Sequence, residues 1–361
     1  MIDADIHYEF LGLPDLLPWI DPGAREYLTN SDFALPGGLF PNPQNYVRQD
    51  AVPDPEIEDH AYKLLCEQLL DPWEIEFGII NGGGIGLLVG CLPNAKTAAA
   101  IAHGWNRWMT EDIMARDKRL LGALIVPSQD PVLAAEMIRE YGDRPGVVQV
   151  MLAYGATSGY GHSQYDPIHQ ACVDCDLVLG FHVGAEGQGV NSPLGGVGHP
   201  TYYVEYHSLM VVAAMAHTAS MICEGVFERY PTLRLAVIEG GITWIPEILW
   251  RLDANWKRLG QRELPWLERA PSDVMREHVR FTTQPLEQPP NARQLRQFLE
   301  GVGGLEDLVM FATDYPHWDA DVPNQVRRRL PKAWDEAVMS ENARAFYRLP
   351  RQAESAARSA A

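Results

Sequence analysis

Short runs of β-branched and other apolar residues recur along the chain, each ending on a polar residue or Gly and followed by a stretch with helical spacing. This alternation restricts the fold more than any other feature. Candidate strands are Met1–Ile6, Glu76–Ile80, Leu121–Val126, Val147–Leu152, Leu177–Phe181, Leu233–Ile238, Val279–Thr283 and Leu308–Thr313. Candidate helices lie between them at Ala95–Ala115, Pro131–Tyr141, Asp166–Asp174, Leu209–Arg229 and Ala292–Leu299. Strands that alternate with helices pair in parallel through right-handed crossovers, and eight such strands suggest a closed barrel. The expected class is α/β, a (β/α)8 barrel.

At 361 residues the chain could form two ordinary domains or one large barrel. The repeating βα pattern favours a single barrel domain over residues 1–350, with an Ala/Ser-rich tail at 351–361 that is expected to fray. Two segments exceed what a minimal barrel needs. Residues 11–72 are rich in Pro, Asp, Tyr and Trp, and residues 184–206 are rich in Gly. Both follow the C-terminal end of a strand, where a barrel carries its active-site loops, so they are expected to wall and cover a pocket.

The 29 basic and 48 acidic residues give a formal charge of -19, a field that repels phosphate backbones and anionic membrane surfaces. Nucleic acid and membranes are therefore not expected as partners; a small molecule is. An anionic substrate would need a local cation, which a bound metal could supply. No apolar run, including Gly84–Pro93 and Leu209–Ala216, reaches the ~20 residues that span a bilayer. The acidic opening residues do not resemble a signal peptide, and five scattered cysteines suit a reducing compartment, so a cytoplasmic location is expected.

On the first strand, period two places Asp3, Asp5 and His7 on one face. Turned into a barrel they need a partner, and a divalent cation is an efficient one; a strand end open to solvent is the plainer alternative. Single polar residues stand where other apolar strands end: His182, Glu239 and Asp314. In a barrel these meet over one mouth, and two imidazoles and two carboxylates from four chain positions suit zinc, with manganese or iron also allowed. His317 opens the loop after the last strand and either contacts substrate or bonds locally. His207 and His217 flank an apolar run, and one of them could reach the pocket.

Other motifs carry less. Cys172 and Cys175 have CxxC spacing without a second pair and read as packing. Gly82 to Gly86 lack the lysine of a phosphate loop and the spacing of a dinucleotide fold, so a flexible βα loop is expected there. No GxSxG elbow is present, which disfavours a serine-nucleophile hydrolase.

Taken together, Asp3-Ala-Asp5-Ile-His7, Phe181-His182-Val-Gly, the Gly225-to-Arg234 stretch leading to Glu239-Gly-Gly, and Ala312-Thr-Asp314-Tyr-Pro-His317 resemble the amidohydrolase-related family, in its aminocarboxymuconate semialdehyde decarboxylase-like branch. The resemblance runs over nearly the whole chain and includes Asn106-Arg-Trp-Met109 and Val126-Pro-Ser-Gln-Asp130-Pro. It implies a distorted (β/α)8 TIM barrel with long βα-loop insertions and one divalent metal, Zn2+ first and Mn2+ or Fe2+ next, held by Asp5, His7, His182 and Asp314. It also implies a homodimer. Two positions depart from the family pattern. Asp5 stands where His or Glu is usual, a shorter reach, and Glu239 stands where the decarboxylases usually carry a histidine.

With Glu239 in that place, the leading expectation is metal-dependent hydrolysis of a small aromatic or unsaturated carbonyl compound by metal-activated water. Asp314 would be the acid/base and Glu239 would assist it. The alternative is non-oxidative decarboxylation of an aromatic or muconate-type acid at the same site. A second alternative is a catalytically inactive ligand-binding barrel. His207 and His317 are candidate substrate contacts.

Overall fold

The computed structural model describes residues 1–8, 12–36 and 46–351. Eight parallel strands form one sheet in the order β1 to β8: Ile2–His7, Phe77–Asn81, Leu120–Ile125, Val147–Ala153, Val178–His182, Arg234–Ile238, Val279–Thr282 and Val309–Met310. Ile6 pairs in parallel with Tyr315, and Ala4 N–H donates to Phe311 O, so the end of the sheet returns to its beginning and closes a barrel. Each candidate strand is present, most of them shifted by a residue at one end or both. β8 is the exception, because its regular ladder is short. Beyond it the amide of Ala312 donates to the Thr283 hydroxyl and that of Thr313 to Asp3 Oδ1, so side chains take over the work of backbone acceptors.

Helices cover the barrel as the spacing predicts, with differences that have local causes. Pro131–Tyr141 and Asp166–Asp174 match their expected limits; the first is capped by Asp130, which accepts Leu133 N–H, and opens on Pro131. Ala95–Trp108 is capped by Asn94 and buries Ala98, Ile101, Ala102 and Trp105, then passes into a wider π turn at Met109–Ile113. The expected helix at 209–229 starts earlier and is divided into Tyr203–Leu209, Val211–Cys223 and Val226–Arg229, so the last residues of the expected 184–206 loop are helical. The final break falls at Gly225, in the left-handed region at φ 67.

Residues 82–86 are not a flexible loop. A helix, Gly84–Val89, begins there, and its glycines serve close approach: a Cβ on Gly82 or Gly86 would fall 2.4 or 2.8 Å from Ile125 Cγ2. The helices Ile245–Asn255 and Pro271–His278 between β6 and β7 were not anticipated, although Ile245, Ile248, Leu249 and Leu252 have the spacing of a buried face. Within 11–72, helices occur at Pro22–Asn30 and His60–Leu65; residues 11 and 37–45 of this region, and the expected frayed tail beyond Arg351, lie outside the described residues.

The helical stretch Tyr203–Cys223 has the length and mean hydropathy, 1.2, of a short membrane span. Its residues Ala214, Thr218 and Met221 are fully buried, whereas Val204, Leu209 and Val212 are exposed. Cys172 is buried in its helix, where burial pushes the thiol up and away from reactivity; Cys175 caps the same helix, and neither forms a disulfide.

Candidate metal centre

The barrel interior is polar at the C-terminal end of its strands. Asp5, His7, His182, Glu239 and Asp314 are all buried, and one donor atom from each lies within 4.8 Å of the others. The strand ends place them. His182 is the last residue of β5, paired with Ala153 and Ile238 of its neighbours, and Glu239 follows β6 immediately. Glu239 and Asp314 adopt φ 56 and 60, a left-handed conformation that costs free energy in residues with a side chain and marks a turn forced by its surroundings.

The distances describe a cluster that lacks its own charge balance. His7 Nε2 stands 2.9 Å from Asp314 Oδ1, 3.3 Å from Asp5 Oδ1 and 3.2 Å from His182 Nε2. His182 Nε2 lies 3.4 Å from both Asp5 Oδ2 and Glu239 Oε2. The other nitrogen of His182, Nδ1, is 2.8 Å from Val183 O, where it must donate, so Nε2 keeps its lone pair for the cluster. Asp5 Oδ2 accepts no hydrogen bond among the described residues. Three buried carboxylates, a fixed imidazole lone pair and an unused carboxylate oxygen fit a divalent cation.

Burial and neighbouring charges also shift the titration of three of these groups. Burial and the neighbouring Asp314 carboxylate push Glu239 well above the usual carboxylate range. Burial also opposes ionisation of Asp314, but the imidazoles of His317 and His7 outweigh it and hold that carboxyl well below its ordinary value. At His182, burial works against protonation, and Asp5 overrides it and raises the imidazole.

A hydrogen-bonded layer lies beneath the cluster. Asn81, the last residue of β2, donates to Asp5 Oδ1 at 2.7 Å; Gln149 donates to Asn81 Oδ1, and Tyr347 donates to Gln149 Oε1, each at 2.7 Å. Gln284, just past β7, donates to Asp314 Oδ2 at 3.1 Å and to Asp319 Oδ2 at 3.2 Å. Sequence reasoning passed over Asn81 and Gln284, yet the signal that located His182, a polar residue where an apolar strand ends, applies to both. Asp3 shares the face of Asp5 and His7 but takes no part in the cluster. It accepts the hydroxyl and amide of Thr313 at 2.6 and 3.0 Å, and burial pushes its pKa up to about 7.

Beside the cluster is a cavity of about 250 Å³, whose wall includes His182, Glu239 and His317. Its sides are aromatic and aliphatic, with Tyr46, Tyr203, Tyr206, Trp318, Leu87 and Met210. His317 stacks on His7 with ring centroids 4.5 Å apart, and its Nδ1 is 2.7 Å from Asp314 Oδ1. His207 lines the cavity from the helix Tyr203–Leu209, 3.1 Å from Asp319 Oδ2. His217 does not reach it: the ring accepts Tyr160 N–H and donates to Tyr154 O inside the core. The segment 184–206 contributes to the cavity wall, as does Tyr46 from the segment 11–72.

A family model described as amidohydrolase matches residues 3–349. The chain belongs to the amidohydrolase family. Within reach of this family chain is the γ-resorcylate decarboxylase of Rhizobium sp. (strain MTP-10005), 23% identical over 284 residues that make up 72% of this chain and 81% of the relative. Among solved structures, an amidohydrolase from Mycobacterium avium subsp. paratuberculosis superposes with a TM-score of 0.68 at 19% identity, covering 98% of both chains. The 5-carboxyvanillate decarboxylase of Novosphingobium aromaticivorans, solved with bound manganese, gives 0.68 at 18% identity over 96% of this chain and 97% of its own. At these identities the structural likeness shows a common barrel.

Proposed function

We propose that this amidohydrolase-family chain is a metal-dependent, non-oxidative decarboxylase of a small aromatic acid. The observation that carries the reading is the buried two-imidazole, three-carboxylate cluster at the wall of an aromatic-sided cavity of about 250 Å³, a size for one substituted ring. The decarboxylases of aromatic acids among its relatives support it and move it ahead of hydrolysis. Asp5, His7, His182 and Asp314 would hold the ion. Zinc, manganese and iron(II) all suit these donors, and the manganese in the Novosphingobium relative makes that ion as strong a candidate as zinc. When bound, the ion supplies positive charge to orient and neutralise an oxygen-bearing substrate.

The chain's own residues do the rest in this reading. Tyr203, Tyr206 and Trp318 hold the ring and exclude water. Asp314 and His317 hold the proton that replaces the departing carbon dioxide, and His317 is the cavity-side member of the pair. Glu239 lines the cavity next to His182 and assists at the carboxylate end. The test is carbon dioxide release from a panel of hydroxybenzoates by the zinc- and manganese-loaded enzyme, with solvent deuterium appearing at the ring carbon. No release from any member, with metal bound, would sink this reading.

A second reading, hydrolysis of a neutral ester, lactone or amide, is favoured by one observation. Among the described residues, no Lys or Arg lines the cavity, so a substrate carboxylate finds no guanidinium or ammonium partner there. Incorporation of oxygen from labelled water without carbon dioxide release would select it.

A further inference from the structure

The loop that leaves β5 carries another buried carboxylate into the cavity wall. Glu186, four residues past His182, is 3% exposed. Its Oε2 accepts Gly184 N–H at 3.1 Å and the Tyr206 hydroxyl at 2.7 Å. Its Oε1 accepts nothing among the described residues, and neither does Oε1 of Gln188 in the same wall.

The loop holds these acceptors in place. Gly155 N–H donates to Gly184 O, Gly187 N–H to Ser192 O, Val190 N–H to Cys91 O, and the Asn191 amide to Ala185 O. Gly189 adopts φ 53 where a Cβ would lie 2.0 Å from Cys91 O, so the turn admits no larger residue. Buried acceptors without donors are costly, and a fold keeps them where something else supplies the donor. Burial pushes the Glu186 carboxyl above its usual range, which a further donor at Oε1 would offset.

We infer that Glu186 is a specificity residue, accepting a hydrogen bond from a hydroxyl or amino substituent on the substrate's ring, with Gln188 as its neighbour in that subsite. The inference rests on the reading of this cavity as the substrate site. It assigns the substrate a class: an aromatic acid that carries a donor group besides whatever faces the metal. A methoxy group or a bare ring edge at that position leaves Glu186 without its partner.

The experiment uses the metal-loaded wild type, Glu186→Gln and Glu186→Leu. Carbon dioxide release is measured on 2-hydroxybenzoates paired so that members differ only in a hydroxyl or a methoxy at one further ring position. Binding of resorcinol and of 3-methoxyphenol is measured by calorimetry on the same proteins. In the wild type kcat/KM favours the hydroxyl member of at least one pair by about tenfold or more. In Glu186→Leu that ratio falls to within about threefold, with metal content and circular dichroism unchanged, while Glu186→Gln keeps part of it because its amide oxygen still accepts.

Equal ratios in wild type and Glu186→Leu, or a methoxy preference in the wild type, overturn the inference. If Glu186→Leu does not fold, Glu186→Gln decides: an unchanged ratio overturns it and a reduced one supports it. If no compound releases carbon dioxide, the decarboxylase reading fails separately and the phenol pair decides. Tighter binding of resorcinol, lost on substitution of Glu186, supports the inference, and equal binding of the two phenols overturns it.

Discussion

His182 shows how little freedom a side chain in this centre retains. Its Nδ1 is committed to Val183 O, so Nε2 is the atom it offers the cluster, and replacement by Ala removes that atom from the proposed ligand set. Near-stoichiometric metal is expected in the wild type and its loss in His182→Ala, read by elemental analysis; equal metal in both proteins would remove His182 from the ligand set. Asn81 acts one step out, by orienting Asp5. Asn81→Ala is expected to weaken metal binding by about 10–100-fold while the fold persists, measured by competition with a chelator. Asp314→Asn should keep metal and lose about 10²-fold or more in turnover, because an amide cannot hold the proton; full activity would remove Asp314 from that role. The proposed ligands stand out in the sequence in two ways: His182 and Asp314 as single polar residues where apolar runs end, and Asp5 and His7 through the period-two alternation of the first strand. The separate role of Asp3 was not legible, since period two places it on the same face as Asp5 and His7 and only the approach of Thr313 from the far end of the chain separates them.

Elements were readable where their ends carry their own chemistry. Asp130 and Pro131 mark a helix start that the structure reproduces, and Asn94 does the same for Ala95–Trp108 by accepting two backbone amides. Asn94→Ala is expected to destabilise the fold by about 1 kcal/mol in a denaturant titration. An unchanged midpoint would show that packing of the helix against the barrel makes the cap redundant. Residues 82–86 were misread because glycine has two uses, conformational freedom and close approach, and composition does not distinguish them. Gly82→Ala tests the second use. A methyl group there meets Ile125, and a loss of about 1–3 kcal/mol is expected. The short ladder of β8 has the same kind of origin, because a carboxylate and a hydroxyl from other strands replace its backbone acceptors.

Across the whole molecule, stability and pH are linked through buried groups that the chemistry does not use. His217, held neutral in the core, has its pKa lowered by burial to about 4. The unfolded chain takes up a proton below about 6.5 where the folded one does not, so this group's contribution to stability declines as pH falls from about 6.5 to about 4. The difference in unfolding free energy between wild type and His217→Gln should therefore shrink by up to about 3 kcal/mol across that window; a constant difference would show that His217 is not neutral in the fold. The alternation of strands and helices, the eightfold count and the polar residues at the strand ends were determined by the sequence alone, because hydrophobic periodicity and chain-local turns are short-range properties. Tertiary structure decided which of those polar residues share a centre, that His207 and not His217 reaches the cavity, and that Glu186 lies in its wall. Each of those outcomes depends on side chains from distant parts of the chain meeting in a buried place, where the absence of water makes every partner count.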